Sequence, residues 1–310
     1  MALAGVSDVY ATSSELLKAF LGLHIAPGQL YRVTNCLGEQ ITTDLPAPVV
    51  HLPLAEQEVI YGSIDGSMLL TDQGWQEAKV GRVFTSQARI EAGQKGDSQT
   101  RYRLSESTYC AHLGEHEDFT PLFEASPGSY LTNADRLVLV SDGGVWIQHY
   151  FDRRFPKATQ ILDYYHAVEH LAEWVQIEFK GSKSGRQWLD KQKGNLLADG
   201  IEVLIEELKS LTDLSSESRQ SRDRLVGYYS RNRTRMQYGT YRSRGLQIGS
   251  GCIEAAHRTV IQSVRRCGRM KRSGQRWSAG GGQAMLNLRV AAKSGYWHLV
   301  GDRLNSVRAN

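Results

Sequence analysis

The chain has 310 residues, 41% of them hydrophobic and 23% charged, with a net charge of +4. That is the make-up of an ordinary globular protein, long enough for two average domains or for one large domain carrying an insertion. It argues against three classes. No run of about 18 apolar residues marks a membrane span. The start, Met1-Ala2-Leu3-Ala4-Gly5, lacks the pattern of a secretory signal. Four scattered cysteines (Cys36, Cys110, Cys252, Cys267) contain no Cys-x-x-Cys pair, which argues against a zinc finger or disulfide framework and fits a reducing cytoplasm.

Taken in chain order, residues 1–54 read as a small N-terminal helical region. Ser13 or Ser14 caps a helix through Glu15–Phe20 that ends near Gly22, a short second helix follows Pro27-Gly28, and Pro46 and Pro48 mark a linker. Strand patterning begins at Val59, and the first strand runs to Asp65. A turn at Asp72-Gln73-Gly74 leads to a hairpin partner over Glu77–Phe84. Residues 86–100 are polar and read as a loop, Tyr102–Ala111 as a third strand, and Phe119–Ala125 as a helix. Leu137-Val138-Leu139-Val140 is an uninterrupted apolar run of the kind found in buried parallel strands. Gly143-Gly144 opens a helix over Val145–Tyr150, and Thr159–Leu162 is a fifth strand.

Antiparallel-looking strands followed by alternating helix and strand predict an α/β protein with a mixed sheet, in the order of the ribonuclease H fold. From residue 164 to 245 apolar residues recur at helical spacing: Val168, Leu171, Val175 and Phe179, then Ile201, Leu204, Leu208 and Leu211. This segment reads as a large all-helical insertion between the first part of the core (55–163) and C-terminal core helices (246–310). One of those helices starts near Gly249-Ser250-Gly251 and another covers about Ala284–Ala292.

In such a fold Asp65 ends one strand and Asp142 follows its neighbour, while Glu254 sits in the first turn of a late helix. Three carboxylates converging there call for cations. Magnesium, with manganese as a substitute, suits an all-oxygen site, and two ions are expected. Each residue also has a local alternative: a turn at Asp65-Gly66, a helix cap at Asp142, a helix-dipole partner at Glu254.

Charge is concentrated rather than spread. Between Arg219 and Arg276 stand fifteen Arg and Lys residues against two acidic ones, Asp223 and Glu254. Such a stretch either forms a solvated helical surface or meets a polyanion. Arg231, Arg233 and Arg235 are candidates for a phosphate backbone, as are Arg265, Arg266, Arg269, Lys271, Arg272 and Arg276. Trp277, flanked by basic residues, is the tryptophan favoured for a DNA contact.

A set of segments in order carries a resemblance. They are Ser63-Ile64-Asp65-Gly66, Trp75–Gly81, Ser141-Asp142-Gly143-Gly144-Val145-Trp146-Ile147, Phe155-Pro156-Lys157-Ala158, Ile161–Leu171, Gly249-Ser250-Gly251-Cys252-Ile253-Glu254 and Lys271–Ser278. From about residue 55 onward the chain resembles bacterial insertion-sequence transposases of the ISKra type, relatives of the Mutator-like group. The resemblance implies a ribonuclease H-like core whose Asp65, Asp142 and Glu254 form a metal-binding Asp-Asp-Glu triad. It also implies metal-dependent strand cleavage at transposon ends with strand transfer, double-stranded DNA as partner, and a homodimer or larger assembly. The place implied is the cytoplasm, at the nucleoid. Asp163-Tyr164-Tyr165-His166 matches an Asp-x-x-His element, so Asp163 and His166 are implied to support the site. Members usually carry an N-terminal DNA-binding or zinc-binding segment, whose cysteines this chain lacks.

Beside it stand a nuclease or junction resolvase on the same fold and two more distant readings. One is a catalytically inactive, transposase-derived DNA-binding protein. The other is a zinc metallopeptidase through His166-Ala167-Val168-Glu169-His170, with the histidines as ligands and Glu169 as base.

Overall fold

A computed structural model of the chain describes residues 1–41, 58–86, 89–94, 100–104, 107–125, 136–249, 260–261, 270–271, 274–298 and 300–301. Among these residues the protein is a mixed α/β structure. Three helices come first: α1 (Ala2–Ser7), α2 (Tyr10–Leu21) and α3 (Pro27–Gln40). Strands β1 (Ile60–Thr71), β2 (Gly74–Thr85), β3 (Arg89–Gln94), β4 (Thr100–Leu104) and β5 (Thr108–Leu113) follow, then α4 (His116–Ala125). Next come β6 (Leu137–Ser141), α5 (Val145–Arg154) and β7 (Thr159–Leu162). A run of helices follows: α6 (Tyr164–Phe179), α7 (Lys183–Leu197), α8 (Ile201–Ser210), α9 (Ser216–Asn232), a 3-10 turn (Arg233–Arg235) and α10 (Tyr238–Ser243). The last is α11 (Ala279–Lys293). The main sheet has five strands in the order β5-β2-β1-β6-β7, and β3 with β4 forms a separate two-stranded ribbon.

The chain divides into two compact units, Met1–Leu137 with Cys252–Asn310, and Val138–Gly251. In the first, β1 and β2 are antiparallel from Ile60↔Thr85 to Thr71↔Gly74, closing on Asp72-Gln73, and β5 pairs antiparallel with β2. Alternation gives the sheet two apolar faces. Leu69, Ala78, Val80, Tyr109, Ala111 and Leu113 share a core with Val6 of α1, Leu37 of α3 and Met285, Leu286 and Leu288 of α11. On the other face α4 packs against β2 and β5, with Phe119 and Phe123 fully buried. Arg289 of α11 is 2% exposed, and its guanidinium donates to the carbonyls of Val6 (2.7 Å) and Val260.

In the second unit β6 and β7 run parallel, from Val138↔Thr159 to Ser141↔Leu162. Parallel strands need a crossover, and α5 supplies it. The helical segment buries one stripe per helix. In α6 the stripe is Tyr164, Ala167, Leu171, Trp174 and Val175; in α8 it is Ile201, Leu204, Ile205 and Leu208. Three of the helix starts have a local cause: Asp163 caps α6 at the backbone N–H groups of Tyr165 and His166, and Ser182 and Ser215 cap α7 and α9. Lys180 and Gly181, both at positive φ, end α6 and turn the chain into α7.

Several expectations need correction. The first strand does not stop at Asp65 but continues to Thr71, so Asp65-Gly66 is strand rather than turn. Residues 86–100 are not all loop, because Arg89–Gln94 pairs with Thr100–Leu104. The single strand expected over Tyr102–Ala111 is two, β4 and β5, in different sheets. The helix after Pro27 is 14 residues rather than short. α11 begins at Ala279, five residues before the expected start, because Ser278 caps it by accepting from Gly281 N–H. The helix expected to start at Gly249–Gly251 lies outside the described residues.

Candidate functional site

The strand β6 is buried at every position and apolar up to Ser141, and it delivers the chain to Asp142. This residue is half-buried, and its Oδ1 accepts from the backbone N–H of Gly144 at 2.9 Å. It is therefore an Asx turn and not the cap of α5, whose N-cap is Gly144 without a side-chain cap. Among the described residues no hydrogen bond engages Oδ2 of Asp142.

The turn is braced from α5 and α9. Tyr228 donates its hydroxyl to the Asp142 carbonyl at 2.7 Å, Gln148 donates Nε2 to the Gly143 carbonyl at 3.1 Å, and Gln148 also bonds Asn232 Oδ1. Asn232 in turn donates to the Tyr228 carbonyl at 2.9 Å. Burial pushes the Tyr228 phenol far above its usual range, and the nearby negative charges of Asp142 and Asp163 push it further, so the hydroxyl stays a donor. A closed set of side-chain bonds of this kind fixes the Asp142 backbone before any ligand arrives.

Asp163 is 3% exposed, and its Oδ1 accepts from Tyr165 N–H at 2.7 Å and His166 N–H at 3.4 Å. The capping role is therefore real. One helical turn on, Nε2 of His166 lies 3.1 Å from Nε2 of His170. His166 Nδ1 is 3.5 Å from Glu169 Oε2, and His170 Nδ1 is 3.3 Å from Glu173 Oε2. The His170 ring sits edge-on to Tyr228, 4.9 Å between centroids. Glu169, expected as a base, thus stands at the outer nitrogen of His166.

In the other unit Asp65 is the sixth residue of β1, opposite Val80 of β2, and half-buried. Its Oδ1 accepts from the Gly66 N–H at 2.7 Å. Glu254 lies outside the described residues, as do Arg265, Arg266, Arg269 and Arg272.

The remaining basic candidates divide by their surroundings. Arg231 and Arg233 are exposed, Arg233 pairing loosely with Glu202 at 3.7 Å. Arg235 is largely covered, with its guanidinium on Asp152 (2.6 and 2.8 Å) and Gln160 (2.9 Å). It ties α9's end to α5 and β7. Lys271 is exposed, and Arg276 is exposed while donating to the carbonyls of Thr71 and Asp72. The DNA contact expected for Trp277 gives way to packing. Trp277 is 6% exposed, its indole N–H donates to Met270 O, and its backbone bridges to Thr71. Its ring faces are not available to a base.

Sequence reasoning missed Tyr228, Gln148 and Asn232. An aromatic or amide inside a helix carries no local mark of the carbonyl it serves. Among the described residues one further acidic-histidine group stands close together, Glu115, His116 and Glu117, on the surface.

A search of curated proteins finds no match to the chain. A scan against protein-family models matches residues 60–302 to an uncharacterised protein family, UPF0236. The match runs through the strands of the main sheet, the helical segment and α11. Spanning most of the sequence, it shows that the chain belongs to UPF0236.

Proposed function

We propose that this protein is a metal-dependent DNA strand-cleaving and strand-transferring enzyme, a transposase with Asp65, Asp142 and Glu254 as its acidic triad. The observation that carries the reading is the Asp142 turn. A carboxylate is presented at the end of a buried parallel strand, its backbone fixed by Tyr228 and Gln148, with one oxygen uncommitted among the described residues. Rigid presentation of an acidic side chain is what a phosphoryl-transfer site requires.

Asp65, Asp142 and Glu254 would hold magnesium or manganese, and an all-carboxylate donor set fits these hard ions. Bound there, two such ions supply the positive charge that activates an attacking oxygen and stabilises the leaving one. The chain's residues do the rest. The Asp142 turn keeps its carboxylate in place, and exposed Arg231 and Arg233 attract DNA phosphates. In cleavage, water oxygen attacks phosphorus and the 3′ oxygen leaves as a hydroxyl. In strand transfer, that 3′ hydroxyl attacks a target phosphodiester and displaces the target's own 3′ oxygen. Joining two ends to one target calls for at least two protomers.

The test uses labelled duplexes taken from the DNA flanking the gene, incubated with protein and Mg2+ or Mn2+. Wild type is expected to nick and transfer, and Asp142→Asn, Asp65→Asn and Glu254→Gln to fall to background. Binding without cleavage in the wild type would favour a transposase-derived DNA-binding protein. Cleavage unchanged by Asp142→Asn would sink the reading.

A further inference from the structure

We infer that α6 carries a two-histidine site for a first-row transition-metal ion, zinc foremost, at the converging Nε2 atoms of His166 and His170. It does not depend on the transposase reading, and no step of strand cleavage passes through it.

The spacing fits one shared ion. With metal–nitrogen bonds of about 2.0–2.1 Å, two imidazole nitrogens stand about 2.9 Å apart at a right angle and about 3.3 Å apart at a tetrahedral angle. The observed 3.1 Å lies between these, with the ring centroids 4.5 Å apart. Histidines at i and i+4 share a helix face, which makes this geometry available.

Proton bookkeeping points the same way. Each outer nitrogen faces a carboxylate, Nδ1 of His166 at Glu169 and Nδ1 of His170 at Glu173. A carboxylate there wants an N–H on Nδ1. If both rings carry Nδ1–H, both Nε2 atoms are bare lone pairs 3.1 Å apart, which is repulsive. If two neutral rings bond to each other instead, the donor ring turns an Nδ1 lone pair toward its carboxylate. Only an added cation between the Nε2 atoms satisfies all four nitrogens. A metal ion does so with each histidine oriented and made more basic by its carboxylate, the usual outer-shell arrangement of histidine-ligated metals. Nitrogen donors select zinc, nickel, cobalt or copper over magnesium. The His166 and His170 side chains are 34% and 37% exposed, so the other coordination positions are open to water or a further ligand. Tyr228, edge-on to His170, keeps that ring from turning away.

The full chain, stripped with EDTA, is titrated with ZnCl2 by calorimetry and with CoCl2 by visible absorbance. With excess Mg2+ present to fill any carboxylate site, one saturable equivalent with nitrogen-ligand cobalt bands is expected. Affinity falls by at least about tenfold in His166→Ala and in His170→Ala, and by about tenfold in Glu173→Gln, where only the outer partner is changed. Excess Mg2+ does not displace the zinc, and Asp65→Asn binds it as wild type does. Far-UV circular dichroism checks that each variant folds. His170→Gln, which keeps the side chain's bulk, provides a second route should the alanine variant unfold. The proposal is overturned if no saturable binding occurs, the pair then sharing a proton. It is equally overturned if folded variants of both histidines bind as tightly as wild type, which would place the ion elsewhere, such as at Glu115, His116 and Glu117.

Discussion

Asp65-Gly66 and Asp142-Gly143 spell the same dipeptide in two different settings. The first lies inside an antiparallel strand, where the ladder to Val80 and Lys79 sets the backbone. The second lies just past a parallel strand, where no ladder reaches and side chains from α5 and α9 do the holding. At Gly66 the nearest atoms a Cβ would meet belong to Glu77, its carboxylate first, the far end of a partly exposed side chain. At Gly143, φ is +90° and a Cβ would lie 2.7 Å from Leu162 Cδ1 and 3.0 Å from the Tyr228 ring. An added Cβ is thus met first by a movable side chain at Gly66, and at Gly143 by close neighbours together with a strained φ.

Substitutions break that contrast in order of size. Gly143→Ala, strained in φ and overpacked, is expected to cost about 3 kcal/mol in urea unfolding and to remove whatever activity Asp142 supports. Asp163→Ala removes a buried cap and costs about 1–2 kcal/mol by the same measurement. Tyr228→Phe deletes one hydroxyl and costs about 1 kcal/mol, less than Gly143→Ala because the turn keeps Gln148. Gly66→Ala costs about 1 kcal/mol, since Glu77 can swing out while the buried Lys79 ammonium keeps its bond to the Gly114 carbonyl. Equal losses at Gly66 and Gly143 would erase the distinction between the two settings.

A pH experiment sharpens the same point for the helical segment. Burial raises the Glu207 pKa, but hydrogen bonds from Gln192, Trp188 and Lys191 outweigh it and hold the carboxyl below its ordinary 4.5. A depressed folded pKa means stability that is present above the ordinary value and lost as pH falls through the folded one. Urea unfolding from pH 6 down to pH 3, values chosen to bracket the carboxylate range, should show wild type losing more stability than Glu207→Gln.

What could be read beforehand followed periodicity. β7 falls on Thr159–Leu162 as expected, and the α6 and α8 stripes follow from apolar spacing, because buried faces leave a period in the sequence. The β3–β4 ribbon is not legible because Arg-Ile-Glu-Ala-Gly-Gln lacks strong apolar alternation, and among the described residues its strands pair only with each other. β1 was cut short at Asp65 because Asp-Gly-Ser reads as turn chemistry, and the long pairing with β2 overrides that local preference. The basic neighbours of Trp277 suggest exposure, but its burial depends on a bridge to Thr71, some two hundred positions earlier in the chain. The His166–His170 pair is legible as spacing, whereas the placing of Glu169 and Glu173 at the outer nitrogens depends on side-chain direction.

Arg289 has a practical consequence for anyone handling this protein. Its charge is sealed inside and leans on the carbonyl of Val6. Trimming the opening helix to tidy an expression clone would therefore take an acceptor from an interior guanidinium that cannot shed its proton. A shortened protein that aggregates would be reporting this loss, and should not be taken as evidence against the proposed acidic site.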